Sequence, residues 1–178
     1  LERSTGATVW ESGAGPGGDA TPVLAELAGR PSVVIFGERA AYGVDVADGT
    51  VRWSFPWVTG SDVNAADPVV FADRVFVASA YDKGCALYDV SGARPAVVWH
   101  NNAFETHFSS FVAMDGSLYG IDGDARVPNG GVLRCLDVRT GKTAWSAPVG
   151  FGSLIATRDH LIVLNSTGTI IVAEASAA

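Results

Sequence analysis

Hydrophobic residues along the chain come in short runs, such as residues 33–36 and 161–164, separated by turns rich in Gly, Asp and Pro. Each run has the length of a strand. Val, Ile, Leu and aromatic residues dominate the runs, as is typical of strands, and no stretch shows the 3.6-residue period of an amphipathic helix. The pattern therefore predicts an all-β protein.

Tryptophan returns at a nearly fixed interval. Trp10, Trp53, Trp99 and Trp145 are separated by 43, 46 and 46 residues, and each follows a turn that contains Gly. Such a period is typical of a propeller blade of four strands, named A to D from the centre outwards. We expect each Trp, on the outer strand D, to pack between neighbouring blades. The alternative, a set of aromatic ligand platforms, would require side chains facing the central channel.

Alignment of the repeats on their turns divides the chain, taken as a single domain of residues 1–178, into blades. Residues 21–56, 67–100 and 109–147 are each predicted to form a complete antiparallel blade of four strands. Residues 152–178 are predicted to supply three strands of a split blade, and residues 1–12 a lone outer strand. About four blades are therefore expected.

The two ends of this arrangement are complementary, because three strands at one end could accept the single strand at the other. One possibility is a closed four-bladed ring. The other is half of an eight-bladed ring, completed by a second copy or by more of the same polypeptide. We favour the half-ring, since four blades of this size close with strain and four is the low end of the usual range.

Composition excludes some partners. The net charge of −7 argues against nucleic acid, which requires a basic face. No apolar run approaches the ~18 residues needed to span a bilayer. Cys85 and Cys135 occupy equivalent strands of adjacent blades, too far apart for a disulfide, and are expected to be free buried thiols.

Candidate functional residues lie in the B–C and D–A loops, which share one face of a propeller and depart most from the repeat. The candidates for ligand binding are Asp62, Asn64, Lys83, His107, Ser109 and Ser110. His107 could act as a base, ligand or sensor, or could brace its loop by hydrogen bonds. Lys83 could bind an anionic ligand or be a solvated turn residue. We predict no catalytic residue and no metal site: the loop starting at Asp122 places Leu133, not Glu, at the twelfth position of a calcium loop.

Two segments carry a resemblance to a known family. Leu-Asp-Val-Arg-Thr-Gly-Lys-Thr-Ala-Trp (136–145) and Val-Asp-Val-Ala-Asp-Gly-Thr-Val-Arg-Trp (44–53) resemble the repeat of PQQ-like β-propellers, which are WD40-like in architecture, and the chain is also similar to bacterial PQQ-like repeat proteins. The family includes eight-bladed quinoprotein alcohol dehydrogenases and an outer-membrane assembly lipoprotein without a cofactor. The resemblance implies a periplasmic or extracellular location. The adjacent cysteines and the Glu, Asn and Asp set of the dehydrogenases have no counterpart here.

Three functions are compatible with these residues. The first is a non-catalytic binding or scaffold module that engages a protein, peptide or glycan through the loop face, with no cofactor. The second is a fragment of an oxidoreductase that depends on PQQ and calcium. The third is a repeat unit that assembles, as a homodimer, into an eight-bladed ring and has no ligand of its own.

Overall fold

The computed structural model describes residues 1–13 and 15–177, and their regular structure is β apart from one 3-10 turn at Pro128–Gly130. The first sheet contains β1 (Val23–Leu27), β2 (Arg30–Phe36), β3 (Ala40–Asp45) and β4 (Val51–Pro56). The second contains β5 (Val69–Phe71), β6 (Arg74–Ser79), β7 (Gly84–Asp89) and β8 (Ala96–Asn101). The third contains β9 (Val112–Met114), β10 (Ser117–Asp122), β11 (Val132–Asp137) and β12 (Thr143–Pro148). The fourth contains β13 (Gly152–Ala156), β14 (His160–Asn165) and β15 (Ile170–Glu174).

Each sheet is an antiparallel meander in which every strand pairs with the next one along the chain. The all-β class and the propeller architecture predicted from the repeat are confirmed. Three sheets have four strands and the fourth has three. None of the described helices has the length and apolar character required to cross a membrane.

Apolar cores form between consecutive sheets. The first core joins sheets one and two, with Phe36, Phe55 and Val77 among its buried residues. Equivalent cores join sheets two and three, and sheets three and four. Cys85 and Cys135 are free and buried in the last two. Each sheet is thus stabilised mainly by burial against its neighbours, as the stacked blades of a repeat fold require.

Aspartates at the ends of β3 and β11 hold the turns that lead to the outer strands. The Asp45 carboxylate accepts the Ala47 backbone N–H at 2.9 Å, and that of Asp137 accepts the Thr140 backbone N–H at 2.8 Å. These bonds, with the Arg52 guanidinium for Asp45 and the Thr140 hydroxyl for Asp137, lower the pKa of both carboxyls.

Tryptophans of the repeat contact the neighbouring blade. The indole N–H of Trp99 donates to the Val138 carbonyl at 2.8 Å, and a Cβ at Gly141 would lie 2.6 Å from the Trp99 ring. Gly141 has a φ of +68°, so the turn requires glycine for its backbone as well as for this close approach. Trp53 is 6% exposed and stacks on Phe55 with ring centroids 5.9 Å apart.

Several strand boundaries differ from those expected. Residues 1–12 contain no strand, because no neighbouring strand pairs with their backbone; Glu2 and Ala7 form a turn instead. The inner strands β1, β5 and β9 begin two or three residues after the predicted starts of their blades at residues 21, 67 and 109. The Thr21 backbone N–H is bound by the Asp67 carboxylate of a neighbouring blade, and the Ser110 hydroxyl donates to the same carboxylate.

Ring closure within the chain is not seen. Across the described residues, no backbone hydrogen bond joins residues 1–13 to β15. The four sheets as described are therefore consistent with a partial propeller. Completion to eight blades stays a prediction, and the last residue of the predicted split blade, Ala178, lies outside the described residues.

Candidate functional site

Loops that join the second to the third strand of each sheet leave the meander on the same side as those that join consecutive sheets. We call this side the loop face. All six predicted ligand-binding residues lie on it. The loop face comprises residues 37–39, 57–68, 80–83, 102–111, 123–131, 149–151 and 166–169.

Asn64 is a buried brace. Its side chain is completely enclosed, and its amide Nδ2 donates to the carbonyls of Gly37, Glu38 and Trp57 at 2.9, 2.9 and 3.1 Å. Its Oδ1 accepts the hydroxyl of Ser79 at 2.6 Å, and that hydroxyl accepts the Trp57 indole N–H at 3.0 Å. Because the polar atoms of this network are paired with one another, Asn64 ties the 37–39 and 57–68 loops to the end of β6.

Ser109 and Ser110 connect the inner strands of successive blades. The Ser109 hydroxyl donates to the Gly152 carbonyl, and the Ser110 hydroxyl donates to the Asp67 carboxylate at 2.9 Å. The same carboxylate accepts the Thr21 backbone N–H at 2.6 Å. These bonds run across the start of the inner strands from the first blade to the fourth. Their geometry is that of an inter-blade tie.

Asp62 and Lys83 each have a partner on the loop face. Asp62 accepts the Arg39 guanidinium at 2.7 and 2.6 Å, in a pair that is about half exposed and so contributes little stability. The Lys83 ammonium lies 4.8 Å from the centre of the Trp57 ring, a cation–π contact. The Lys83 ammonium is therefore not a freely solvated turn residue.

His107 links three loops. Its Nε2 lies 2.8 Å from the Tyr81 hydroxyl, and its ring stacks on Phe108 with centroids 4.0 Å apart. Its Nδ1 is buried without a hydrogen-bond partner in the described structure, and lies 3.7 Å from an Asp124 carboxylate oxygen. The structure thus shows His107 bracing its loop.

A cleft of about 450 Å³ opens beside this histidine, between the second and third blades. It is lined by Ala80, Tyr81, Asp82, Asn102, Glu105, Asp122, Gly123, Asp124 and Arg126. Asp124 accepts the Arg126 guanidinium at 3.0 and 2.9 Å. That guanidinium, the Arg126 backbone N–H and the nearby His107 hold the pKa of the Asp124 carboxyl well below its usual range. Asp124 is therefore a carboxylate at neutral pH.

Negative charge prevails in the cleft, since four carboxyl side chains line it and Arg126 is the one basic side chain among the lining residues. Asp122 is also paired with Arg134, at 2.8 Å. Such a cleft favours a cationic group. Over residues 1–13 and 15–177, no three His, Cys, Asp or Glu side chains come together as a metal ion would require.

Tyr81, Asp124 and Arg126 are site residues that were not identified as candidates from the sequence. Tyr81 and Asp82 both have positive φ values, +65° and +58°, and this consecutive left-handed pair turns the loop towards the cleft. For Tyr81, the sequence signal was the turn composition before Gly84. Its contact with His107 could not be predicted, because that contact depends on how two blades pack.

A protein-family model described as outer membrane protein assembly factor BamB matches residues 1–147 of the chain. No curated protein matches it in sequence. Solved structures do match in fold. The computationally designed Ika4 protein shares 10% identity with a TM-score of 0.65, over 95% of this chain and 98% of that one.

Two bacterial structures are similar over much of this chain. BamB from Moraxella catarrhalis is 16% identical with a TM-score of 0.52, over 92% of this chain and 52% of that protein. Quinohemoprotein alcohol dehydrogenase from Comamonas testosteroni is 20% identical with a TM-score of 0.58, over 74% of this chain and 21% of that enzyme. The chain thus spans about half of the first protein and a fifth of the second, and at these identities the likeness shows the fold alone.

Proposed function

Because the chain belongs to the family described as outer membrane protein assembly factor BamB, we propose that it is a non-catalytic binding or scaffold module. Its ligand is a positively charged segment of a protein or peptide, held at the loop face. The location we propose, from the family, is periplasmic or extracellular. The observation that carries the proposal is the electronegative cleft between the second and third blades.

Asp82 and Glu105 are the carboxylates best placed to meet a ligand. Asp122 and Asp124 are already paired with arginines, whereas Glu105 accepts only a hydrogen bond from Asn102, at 3.0 Å, among the contacts of its carboxylate in the described structure. An incoming Lys or Arg side chain would therefore gain its charge-assisted hydrogen bonds chiefly from these two residues. The cleft walls are braced before binding, which lowers the entropy cost of association.

The test measures binding of a fluorescein-labelled Lys/Arg-rich peptide by anisotropy. We expect binding that weakens as salt rises from about 0.05 to about 0.5 M, because salt screens the cleft. Substituting Asp82→Asn together with Glu105→Gln should raise Kd by about 5- to 30-fold, which corresponds to about 1–2 kcal/mol.

The matched control is Asp19→Asn with Glu26→Gln, which removes two exposed charges outside the cleft. Its Kd should stay within about twofold of the original. Equal loss in both double variants would mean that only the overall charge attracts the peptide. If a neutral glycan binds tightly and neither double variant weakens that binding, the ligand is a glycan and not a basic peptide.

The oxidoreductase alternative rests on the fold that the chain shares with quinohemoprotein alcohol dehydrogenase. Calcium in this chemistry needs a group of oxygen ligands, and in the described residues no three acidic side chains lie close enough together to hold a metal ion. The residues present therefore do not fit that site, and we derive no reaction through PQQ or calcium.

A second candidate function is assembly into a larger ring. It is supported by the fourth sheet, which has three strands and one face on which several large apolar side chains are exposed. Sheets two and three are covered on both faces through the three cores, whereas the first and fourth sheets each pack on a single neighbour. We propose that further blades cover this face, which a solution mass above that of one chain would support.

A further inference from the structure

The fourth sheet has one covered and one bare apolar face. Leu154, Leu161 and Val163 point into the third core. The opposite face carries four side chains that are 54–68% exposed: Ile155, Leu164, Ile170 and Val172. Ile155 and Val172 both pair with Ile162 of β14, and Leu164, two residues after Ile162, pairs with Ile170. All four side chains therefore lie on the same side of the sheet.

This bare face continues an established series of interfaces. Sheet one packs on sheet two, two on three and three on four, each through an apolar core. Four large exposed apolar side chains on one surface are unusual for a free protein surface and are typical of an interaction site. The occupant that fits the series is another blade.

The outer edge of β15 is also open. Within the described residues β15 pairs with β14 alone, so its second edge has no strand beside it. An unpaired edge strand next to an apolar face readily accepts another strand. The occupant that fits both surfaces is therefore an outer strand together with the blade beside it.

The N-terminal segment of this same chain has the position of an outer strand. The indole N–H of Trp10 donates to the Val46 carbonyl at 2.8 Å, and a Cβ at Gly49 would lie 2.6 Å from the Trp10 ring. Trp99 makes the same two contacts, at the same distances, with the third blade. Residues 6–11 thus lie against the first blade as an outer strand lies against the next blade, but without a sheet of their own.

The repeat also gives the register in which residues 6–11 would pair with β15. The Ala175 backbone N–H bonds to the Asp159 carbonyl as that of Val46 bonds to Pro31, which makes Ala175 the counterpart of Val46. Trp53 pairs with the residue three positions before Val46. Trp10 should accordingly lie opposite Val172, on the apolar face.

We propose that a second copy of this chain covers the fourth sheet: residues 6–11 of each copy pair with β15 of the other, and the first blade packs on the bare face. The proposal rests on the ring completion inferred above and names its partner. Each copy offers both surfaces, so two identical contacts close the assembly and leave no free edge.

Light scattering should give a mass twice the 18.4 kDa of the chain. Val172→Lys should shift this mass to that of one chain, because a charge would be buried in the contact. Val97→Lys is the matched control, since Val97 is 57% exposed on the outer strand of a complete blade and its substitution should leave the mass unchanged. Circular dichroism shows that each variant is folded.

A disulfide test identifies the partner. In each complete blade a bulge pairs the residue two before the Trp with the residue after the one opposite the Trp, as Val51 pairs with Val44 beside Trp53 and Gly43. Thr8→Cys in one copy and Ala173→Cys in the other should therefore form a crosslink between chains on mixing. A crosslink only within one chain carrying both substitutions would overturn the second copy and leave ring closure standing. A single-chain mass with neither crosslink would overturn the second copy and ring completion together. Both native cysteines are buried and so are hard for an oxidant to reach, and burial raises the pKa of the Cys85 thiol to about 12.

Discussion

Single polar side chains on the loop face act mainly through the hydrogen bonds they complete. Asn64→Ala would leave three backbone carbonyls and the Ser79 hydroxyl without their partner in a site closed to water. A buried polar group left unpaired costs about 1–3 kcal/mol, so we expect a loss of about 3 kcal/mol in the free energy of unfolding. Urea titration followed by tryptophan fluorescence measures it.

Asn102→Ala is the control for this measurement, because Asn102 is exposed and bonds only to the Glu105 side chain among its described contacts. It should change stability by less than about 0.5 kcal/mol. Similar losses at both positions would contradict the bracing role of Asn64. Sequence reasoning placed Asn64 in the right loop but could not separate a brace from a ligand-binding residue, since that depends on the carbonyls that the folded loops bring around it.

At the scale of the strand, the repeat tryptophans hold one blade against the next. Trp53→Ala removes a buried indole that stacks on Phe55 and leaves a cavity in the first core. The expected loss is about 3–5 kcal/mol in the free energy of unfolding, measured by urea titration followed by circular dichroism. Val51→Ala, on the same strand and 39% exposed, should cost far less. A loss below about 1 kcal/mol for Trp53→Ala would show that the indole does not anchor the blade.

Strand order and blade number could be predicted because each blade repeats the same turn, strand and tryptophan pattern. Residues 1–12, predicted as a lone outer strand, form no strand within one copy of the chain, because a strand exists only when another backbone pairs with it and the sequence of a segment does not identify that partner. Likewise, Thr21 and Ser110 have strand-like surroundings in the sequence, yet Asp67 of a neighbouring blade binds both. The cleft arises from packing between two blades, so the sequence could identify the loops that form it but not the individual residues that line it.

For the molecule as a whole, the repeated turn aspartates set the response to acid. The pKa values of Asp45, Asp89 and Asp137 are all lowered, by the Ala47 N–H and Arg52, by Ser91, and by Thr140 respectively. A carboxyl whose pKa is lower in the folded than in the unfolded state stabilises the fold above the unfolded pKa, near 3.8, and this contribution is lost as pH falls towards the folded pKa.

The net charge of the chain also changes the stability of the fold as pH falls. The chain carries −7 at pH 7 and has an isoelectric point near 4.8, so acidification relieves repulsion down to that pH and builds positive charge below it. We therefore expect unfolding free energy, measured by urea titration at a series of pH values, to vary little from pH 7 to about 5 and to fall steeply below about 4. Asp89→Asn with Asp137→Asn should flatten that fall, whereas Asp19→Asn with Glu26→Gln should leave it unchanged. An equally steep fall in both double variants would mean that acid unfolds the protein through its net charge and not through the turns that the repeat places in every complete blade.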